Sequence, residues 1–119
     1  MNYEDVEIKR YYLLRPIHFV MVERLVLREE DPSDLPLHAL DLVLRPSELT
    51  DPRRMKLRFS RVVDLRLSPA SVPMNLAFLQ IDSMHGRGWE GVNYAVSDEH
   101  GEQLTFMCAA FQAEVVVGD

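Results

Sequence analysis

The chain nearly lacks cysteine, since Cys108 is the only one among its 119 residues. No disulfide can therefore form within the chain, and a protein of this size can fold around one hydrophobic core without disulfide or metal support. Cys108 stands in an apolar run with Leu104, Phe106 and Phe111. A thiol in such a run usually acts as a small buried hydrophobe, so we predict a structural role for Cys108 rather than a nucleophilic one.

Positive charge is absent from the last part of the chain, which has no lysine or arginine after Arg87. Residues 1–87 contain 13 basic and 13 acidic side chains, whereas residues 88–119 contain six acidic ones, so the net charge of -6 lies in the second segment. Because phosphate neutralisation needs lysine or arginine, we do not expect this segment to bind nucleic acid.

Long apolar runs are also missing. The longest apolar stretch, residues 11–27, is interrupted by Arg15, Pro16, His18, Glu23 and Arg24. It is therefore not expected to span a membrane. The first residues, Met-Asn-Tyr-Glu-Asp, are acidic where a signal peptide would be basic. The sequence thus predicts a cytoplasmic protein without a membrane segment.

Proline is absent after Pro73, and glycine is absent before Gly86. The prolines between positions 32 and 73 leave room for short strands but not for long helices. We predict loops over residues 31–34, 47–52 and 68–73.

Alternating apolar and polar side chains, which are typical of strands with one buried face, recur along the chain. They cover residues 17–27, 35–44, 54–67, 76–81, 91–97, 103–108 and 113–117, with a helix as the alternative over 35–44. Arg61 interrupts the pattern just after Ser60, which indicates a bulge, a bend or two successive strands. Residues 98–101, Asp-Glu-His-Gly, have turn chemistry and predict an antiparallel hairpin between the strands on either side.

These patterns predict six to eight short strands with little helix, within a single domain that covers residues 1–119. Many short strands separated by turn residues are typical of antiparallel sheets. The predicted fold class is therefore all-β and mainly antiparallel, either a sandwich or a partly closed barrel.

Motifs for catalysis or cofactor binding do not assemble in the sequence. Residues 86–91, Gly-Arg-Gly-Trp-Glu-Gly, match the dinucleotide-binding pattern G-x-G-x-x-G, but a strand is predicted to follow where that pattern requires a helix. The four histidines are dispersed, and neither G-x-S-x-G nor a Walker loop is present. We predict that the protein is not an enzyme and has no metal and no cofactor.

A mixture of side chains suited to protein binding lies in residues 82–90, where an acid, an imidazole, a guanidinium and an indole occur together. Tryptophan and arginine are enriched where protein partners bind tightly. The predicted partner-binding residues in this segment and the following hairpin are His85, Trp89, Glu90, Asp98, Glu99 and Glu102. The alternative is that Trp89 covers the edge of the core and His85 is merely solvated.

Three basic residues, Arg54, Lys56 and Arg58, share the polar side of one predicted strand. Such a stripe could contact nucleic acid or an acidic partner. We favour internal pairing, because cross-strand opposite charges are usual on a wet sheet face and three side chains would bind nucleic acid weakly. No nucleic-acid partner is predicted.

Several segments together resemble small bacterial β-rich proteins of unknown function, some of which are grouped with polymorphic-toxin immunity proteins. The resemblance covers roughly residues 55–112 and depends on residues 57–67, 79–82, 89–94 and 104–108. It implies a cytoplasmic inhibitor that binds and blocks a toxin, without catalysis or cofactor. It defines strands rather than a binding motif, so no functional residues follow from it.

Our leading hypothesis is a non-catalytic domain that binds a protein partner, as an immunity protein whose acidic surface masks a basic toxin active site. The alternative is a structural domain that forms a homodimer through an uncovered strand edge or apolar patch. A small-ligand or enzymatic β-barrel is a third reading, which would need a concave pocket with convergent polar groups.

Overall fold

A computed structural model of the protein describes residues 5–31, 37–68, 74–84, 92–99 and 103–117. Within these ranges the chain forms one α-helix, one 3₁₀ turn and eight strands. The helix, α1, spans Val6–Leu13, the 3₁₀ turn spans Pro16–His18, and the strands are β1 Met21–Asp31, β2 Leu37–Arg45, β3 Arg53–Ser60, β4 Val63–Leu67, β5 Leu79–Ser83, β6 Tyr94–Asp98, β7 Leu104–Cys108 and β8 Ala110–Val117. No helix of the described residues is long and apolar enough to cross a membrane.

The strands form two four-stranded sheets in which every pairing between strands is antiparallel. The first, which we call the long-strand sheet, has the order β1-β2-β3-β8 and strands of 8 to 11 residues. The second, the short-strand sheet, has the order β4-β7-β6-β5 and strands of five residues. The mainly antiparallel all-β prediction is confirmed, and of its two architectures the sandwich is correct.

The alternating pattern that Arg61 interrupts corresponds to two strands, β3 and β4, which belong to different sheets. Arg61 has φ 53°, in the left-handed region that turns the chain between β3 and β4. The amide of the next residue, Val62, donates a hydrogen bond to the carbonyl of His38 at 2.8 Å. Nearby, the amide of Ala109 between β7 and β8 donates to the carbonyl of Ser60 at 3.0 Å. Both crossings between the sheets therefore lie at the same corner.

The alternating side chains of the strands build one core between the sheets. The buried members include Leu40, Leu42 and Leu44 of β2, Met55, Leu57 and Phe59 of β3, and Leu104, Phe106 and Cys108 of β7. The ring of Phe59 contacts that of Phe106 edge to face, with centroids 4.8 Å apart, and lies 6.2 Å from that of Phe111. Phe59 therefore joins the two sheets.

The start of β1 differs from the prediction, which placed the strand from residue 17. Arg15 has φ 59°, and Pro16 then begins a 3₁₀ turn, for which its fixed φ is suited. Ile17 is exposed and contributes nothing to the alternating core face. The strand predicted over 76–81 likewise begins later, at Leu79. In both segments the apolar alternation begins three or four residues before the strand itself.

Helix α1 covers the outer edge of the short-strand sheet. Its first turn is capped by Asp5, whose carboxylate accepts a hydrogen bond from the amide of Ile8 at 3.0 Å. The Tyr11 hydroxyl donates to the carbonyl of Leu79 at 2.6 Å. The Tyr12 hydroxyl accepts from the amide of Ile81 at 3.1 Å and donates to its carbonyl at 3.3 Å. These bonds occupy backbone groups of β5 that pairing with β6 leaves open.

Candidate functional site

The predicted contact residue Asp98 is buried, with 1% of its surface exposed at the end of β6. Its Oδ1 accepts hydrogen bonds from the backbone amides of Gln103 at 3.0 Å and Leu104 at 3.1 Å. This carboxylate therefore ties the end of β6 to the start of β7, and we leave it out of the contact surface proposed below. The antiparallel pairing of β6 with β7 agrees with the predicted hairpin.

The neighbouring Glu99 is exposed, and its amide lies 3.5 Å from the carbonyl of Leu76. Glu99 therefore lies just after the end of β6, which the hydrogen bonds of Asp98 hold against the start of β7. The other predicted contact residues, His85, Trp89, Glu90 and Glu102, lie outside the described residues, as does the glycine-rich segment 86–91. They stay predictions.

A second candidate surface is the outer face of the long-strand sheet, which we call the charged face. It is formed by side chains that point away from the core on four adjacent strands. They are Arg24, Val26 and Arg28 on β1, Asp41 and Val43 on β2, Lys56 and Arg58 on β3, and Gln112 and Glu114 on β8. The face is concave and encloses about 870 Å³, with the half-buried Val26 and Val43 among its lining residues.

Some of the positive charge near this surface is paired within the sheet. The Asp41 carboxylate lies between two arginines, with its Oδ2 3.1 Å from Arg28 Nε and its Oδ1 3.3 Å from Arg58 Nε. At the end of the sheet, Arg54 Nε lies 2.7 Å from Glu23 Oε2. The predicted internal pairing of the basic stripe is therefore confirmed for Arg54 and Arg58.

Lys56 and Arg24 differ from these arginines, because neither forms an ion pair with another residue that the structure describes. Both side chains are exposed, and in the strand register they flank Val43. Glu114 of β8 is opposite Lys56 in the register, yet no ion pair joins them. The concave surface thus retains two cations that form no ion pair with the described residues.

The contribution of Arg24, Arg28 and Asp41 to this surface was not anticipated from the sequence. The signal was present in the polar side of the alternation, which has Arg24 and Arg28 on β1 and Asp41 on β2. What the pattern could not supply was the strand order, which makes β1, β2 and β3 neighbours and thereby joins three separate polar stripes into one surface.

The described part of the chain contains neither an activated cysteine nor a cluster of metal ligands. Burial raises the pKa of the Cys108 thiol to about 12, which keeps it protonated and unreactive at neutral pH. Within the described ranges, no three histidine, cysteine, aspartate or glutamate residues lie close enough to hold a metal ion. What this part of the molecule displays on the charged face is a set of exposed charges, ion pairs and a half-buried apolar floor.

Comparison with known proteins adds one finding. No curated protein matches the chain, and no solved structure matches it either. A family model described as Immunity protein PIM8 matches residues 2–114, which is nearly the whole chain and includes the segments that carried the resemblance. The chain belongs to the Immunity protein PIM8 family.

Proposed function

We propose that the protein is a non-catalytic immunity protein that binds a toxin in the cytoplasm and blocks its active site. Membership of an immunity protein family is the observation that carries this proposal. The binding surfaces and the protonated Cys108 thiol support a role in binding rather than catalysis.

The end of the β6–β7 hairpin, next to the exposed Glu99, is the contact that we propose for a basic region of the toxin. Glu99 is exposed there, and the buried Asp98 holds the adjoining strand ends together. A backbone that is held in place before binding loses little conformational freedom when the partner binds. With Glu90, Glu102, His85 and Trp89, Glu99 would present an acidic contact that steers a basic toxin surface.

The test compares two double charge reversals that change net charge equally. The variant is Glu99→Lys with Glu102→Lys, and the control is Glu29→Lys with Glu48→Lys, two exposed residues elsewhere on the molecule. The probe is the toxin domain that we expect a gene next to that of this chain to encode, with association rates measured at low and high salt. We expect the variant to lose about tenfold or more in association rate at low salt and most of its salt dependence, while the control stays within about twofold.

Two outcomes would contradict different parts of the proposal. Equal association rates for variant and control would show that the acidic hairpin end does not steer the toxin. Failure of the unchanged protein both to bind the toxin domain and to protect cells that express it would overturn the immunity function itself.

A further inference from the structure

We infer that the charged face binds an acidic segment of the toxin through Arg24 and Lys56. This inference rests on the proposed function, since it takes the partner to be the toxin. It adds a second contact of opposite charge sign to the one at the β6–β7 hairpin end.

The charge balance of the surface favours carboxylates as the bound groups. The charged face has four cations, Arg24, Arg28, Lys56 and Arg58, whereas its acidic groups are Asp41 and Glu114. Asp41 forms ion pairs with both Arg28 and Arg58, so these three side chains are already paired within the sheet. Glu114 is opposite Lys56 in the register without an ion pair between them, so the face has two more cations than carboxylates, and Arg24 and Lys56 form no ion pair with the described residues.

The register gives these two cations a defined spacing. Arg24 on β1 and Lys56 on β3 are both opposite Val43 of β2, so two strand spacings, about 10 Å, separate their backbones. Between them lies the half-buried Val43, with Val26 close by. A partner segment that presents carboxylates on either side of an apolar side chain would match this row.

The same surface is poorly suited to nucleic acid. Phosphate binding is strengthened by each cation that faces the backbone, and each carboxylate in the interface opposes it. Asp41 and Glu114 lie within the charged face among its cations. Mixed charge around an apolar floor is instead typical of protein interfaces, in which polar groups surround a buried centre.

The test is the variant Arg24→Glu with Lys56→Glu in the full chain. The control, Lys9→Glu with Arg66→Glu, makes the same change in net charge at exposed positions on α1 and β4. The dissociation constant for the toxin domain is measured by calorimetry, and circular dichroism confirms that both proteins are folded. We expect the variant to bind about tenfold or more weakly and the control to stay within about twofold of the unchanged protein.

A second variant, Arg24→Gln with Lys56→Gln, removes the charges without adding new ones and keeps the test valid if the reversal disturbs folding. A toxin domain with one acidic surface residue changed to lysine should regain affinity for the Arg24→Glu, Lys56→Glu protein. Unchanged affinity in both variants, while the unchanged protein binds the toxin, would overturn the inference and leave the proposed function intact. If the unchanged protein does not bind the toxin domain at all, both the inference and the proposed function are overturned.

Two further measurements test whether the charged face binds something other than the toxin. Binding of a short duplex DNA that is lost in the variant, with unchanged toxin affinity, would assign the face to polyanions and overturn the inference. A dimer of the unchanged protein that dissociates in the variant would assign the face to a second copy and overturn it equally.

Discussion

The outer faces of the two sheets differ in size and chemistry. The long-strand sheet has a concave outer face of about 870 Å³ with four cations and two carboxylates. The short-strand sheet has a smaller depression of about 320 Å³, whose lining combines Ala95, Ser97 and Thr105 with one cation, Arg66, and two carboxylates, Asp64 and Asp82. Its edge strand β5 is instead held by the tyrosines of α1. The outer face of the long-strand sheet is therefore the larger candidate binding surface, whereas the short-strand sheet is held at its edge by hydrogen bonds from helix α1.

The largest expected effect comes from removing the side chain that joins the two sheets. Phe59 is fully buried and its ring contacts Phe106 of the opposite sheet. We expect Phe59→Ala to lower the free energy of unfolding by about 3–5 kcal/mol, because it removes buried apolar surface and leaves a cavity. Urea denaturation measures the loss, and Leu49→Ala, at a position that is 82% exposed, is the control with an expected change within about 0.5 kcal/mol.

Amide hydrogen exchange on the Phe59→Ala protein tests the predicted single domain as well. If the sheets form one cooperative unit, exchange should accelerate to a similar extent in both. Faster exchange in only one sheet would contradict a single domain and show that the two sheets unfold separately.

The alternation of side chains predicted most of the core, because each sheet buries one face. Residues 54–59 and 104–108 follow the expected pattern closely, and Arg61 marked the change of sheet. Helix α1 was missed for a physical reason. Its apolar residues are divided, since Ile8 and Tyr11 pack against the core whereas Val6 and Leu13 are exposed. The helix is also held by tyrosine hydroxyls that bond strand backbone, a contact that the sequence pattern does not reveal.

The candidate surfaces were harder to predict than the core. Asp98 and Glu99 are adjacent acidic residues in the sequence, and only the structure separates a buried carboxylate that accepts two amide hydrogen bonds from an exposed one. The charged face depends on strand order, since the ion pairs of Asp41 with Arg28 and Arg58 join three neighbouring strands. Alternation predicts on which face of the sheet a side chain lies, but it does not predict which side chain of the next strand lies beside it.

An intermediate effect is expected from Tyr11→Phe, which weakens the support of the short-strand sheet. The buried Tyr11 hydroxyl donates to the carbonyl of Leu79, and its removal leaves that carbonyl without this partner. We expect a loss of about 1–2 kcal/mol in the free energy of unfolding, against less for Tyr12→Phe, whose hydroxyl is only partly buried. A loss for Tyr12→Phe as large as that for Tyr11→Phe would contradict the role assigned to burial.

Tyr11→Phe should also change how the free energy of unfolding depends on pH in the alkaline range. Burial, and to a lesser degree the neighbouring Tyr12, raises the pKa of the Tyr11 hydroxyl above its usual value. The unfolded chain releases this proton near pH 10 while the folded protein retains it, so the contribution of Tyr11 is present below about pH 10 and declines as the pH rises further. Denaturation at pH 8 and pH 11 should show a smaller decline for Tyr11→Phe than for the unchanged protein.

The smallest effect is expected for the ion pair of Arg54 with Glu23 on the long-strand sheet. These side chains are 24% and 43% exposed, so a double-mutant cycle with alanine should give a coupling of about 0.2–1 kcal/mol that decreases with salt. Arg54→Ala alone should cost more than the coupling, because Arg54 Nη1 also donates to the carbonyls of Asp51 at 3.1 Å and Arg53 at 2.8 Å. A coupling above about 2 kcal/mol would show that the pair behaves as a buried one.

The Arg54 variant also separates paired from unpaired cations in toxin binding. Because Arg54 is already matched by Glu23, its replacement together with Glu23 should change toxin affinity by no more than about twofold. Arg24 and Lys56 lie on the same sheet without such partners among the described residues, and their replacement should weaken binding. Equal losses from both pairs of changes would mean that the unpaired cations of the charged face have no special part in how this sheet meets the toxin.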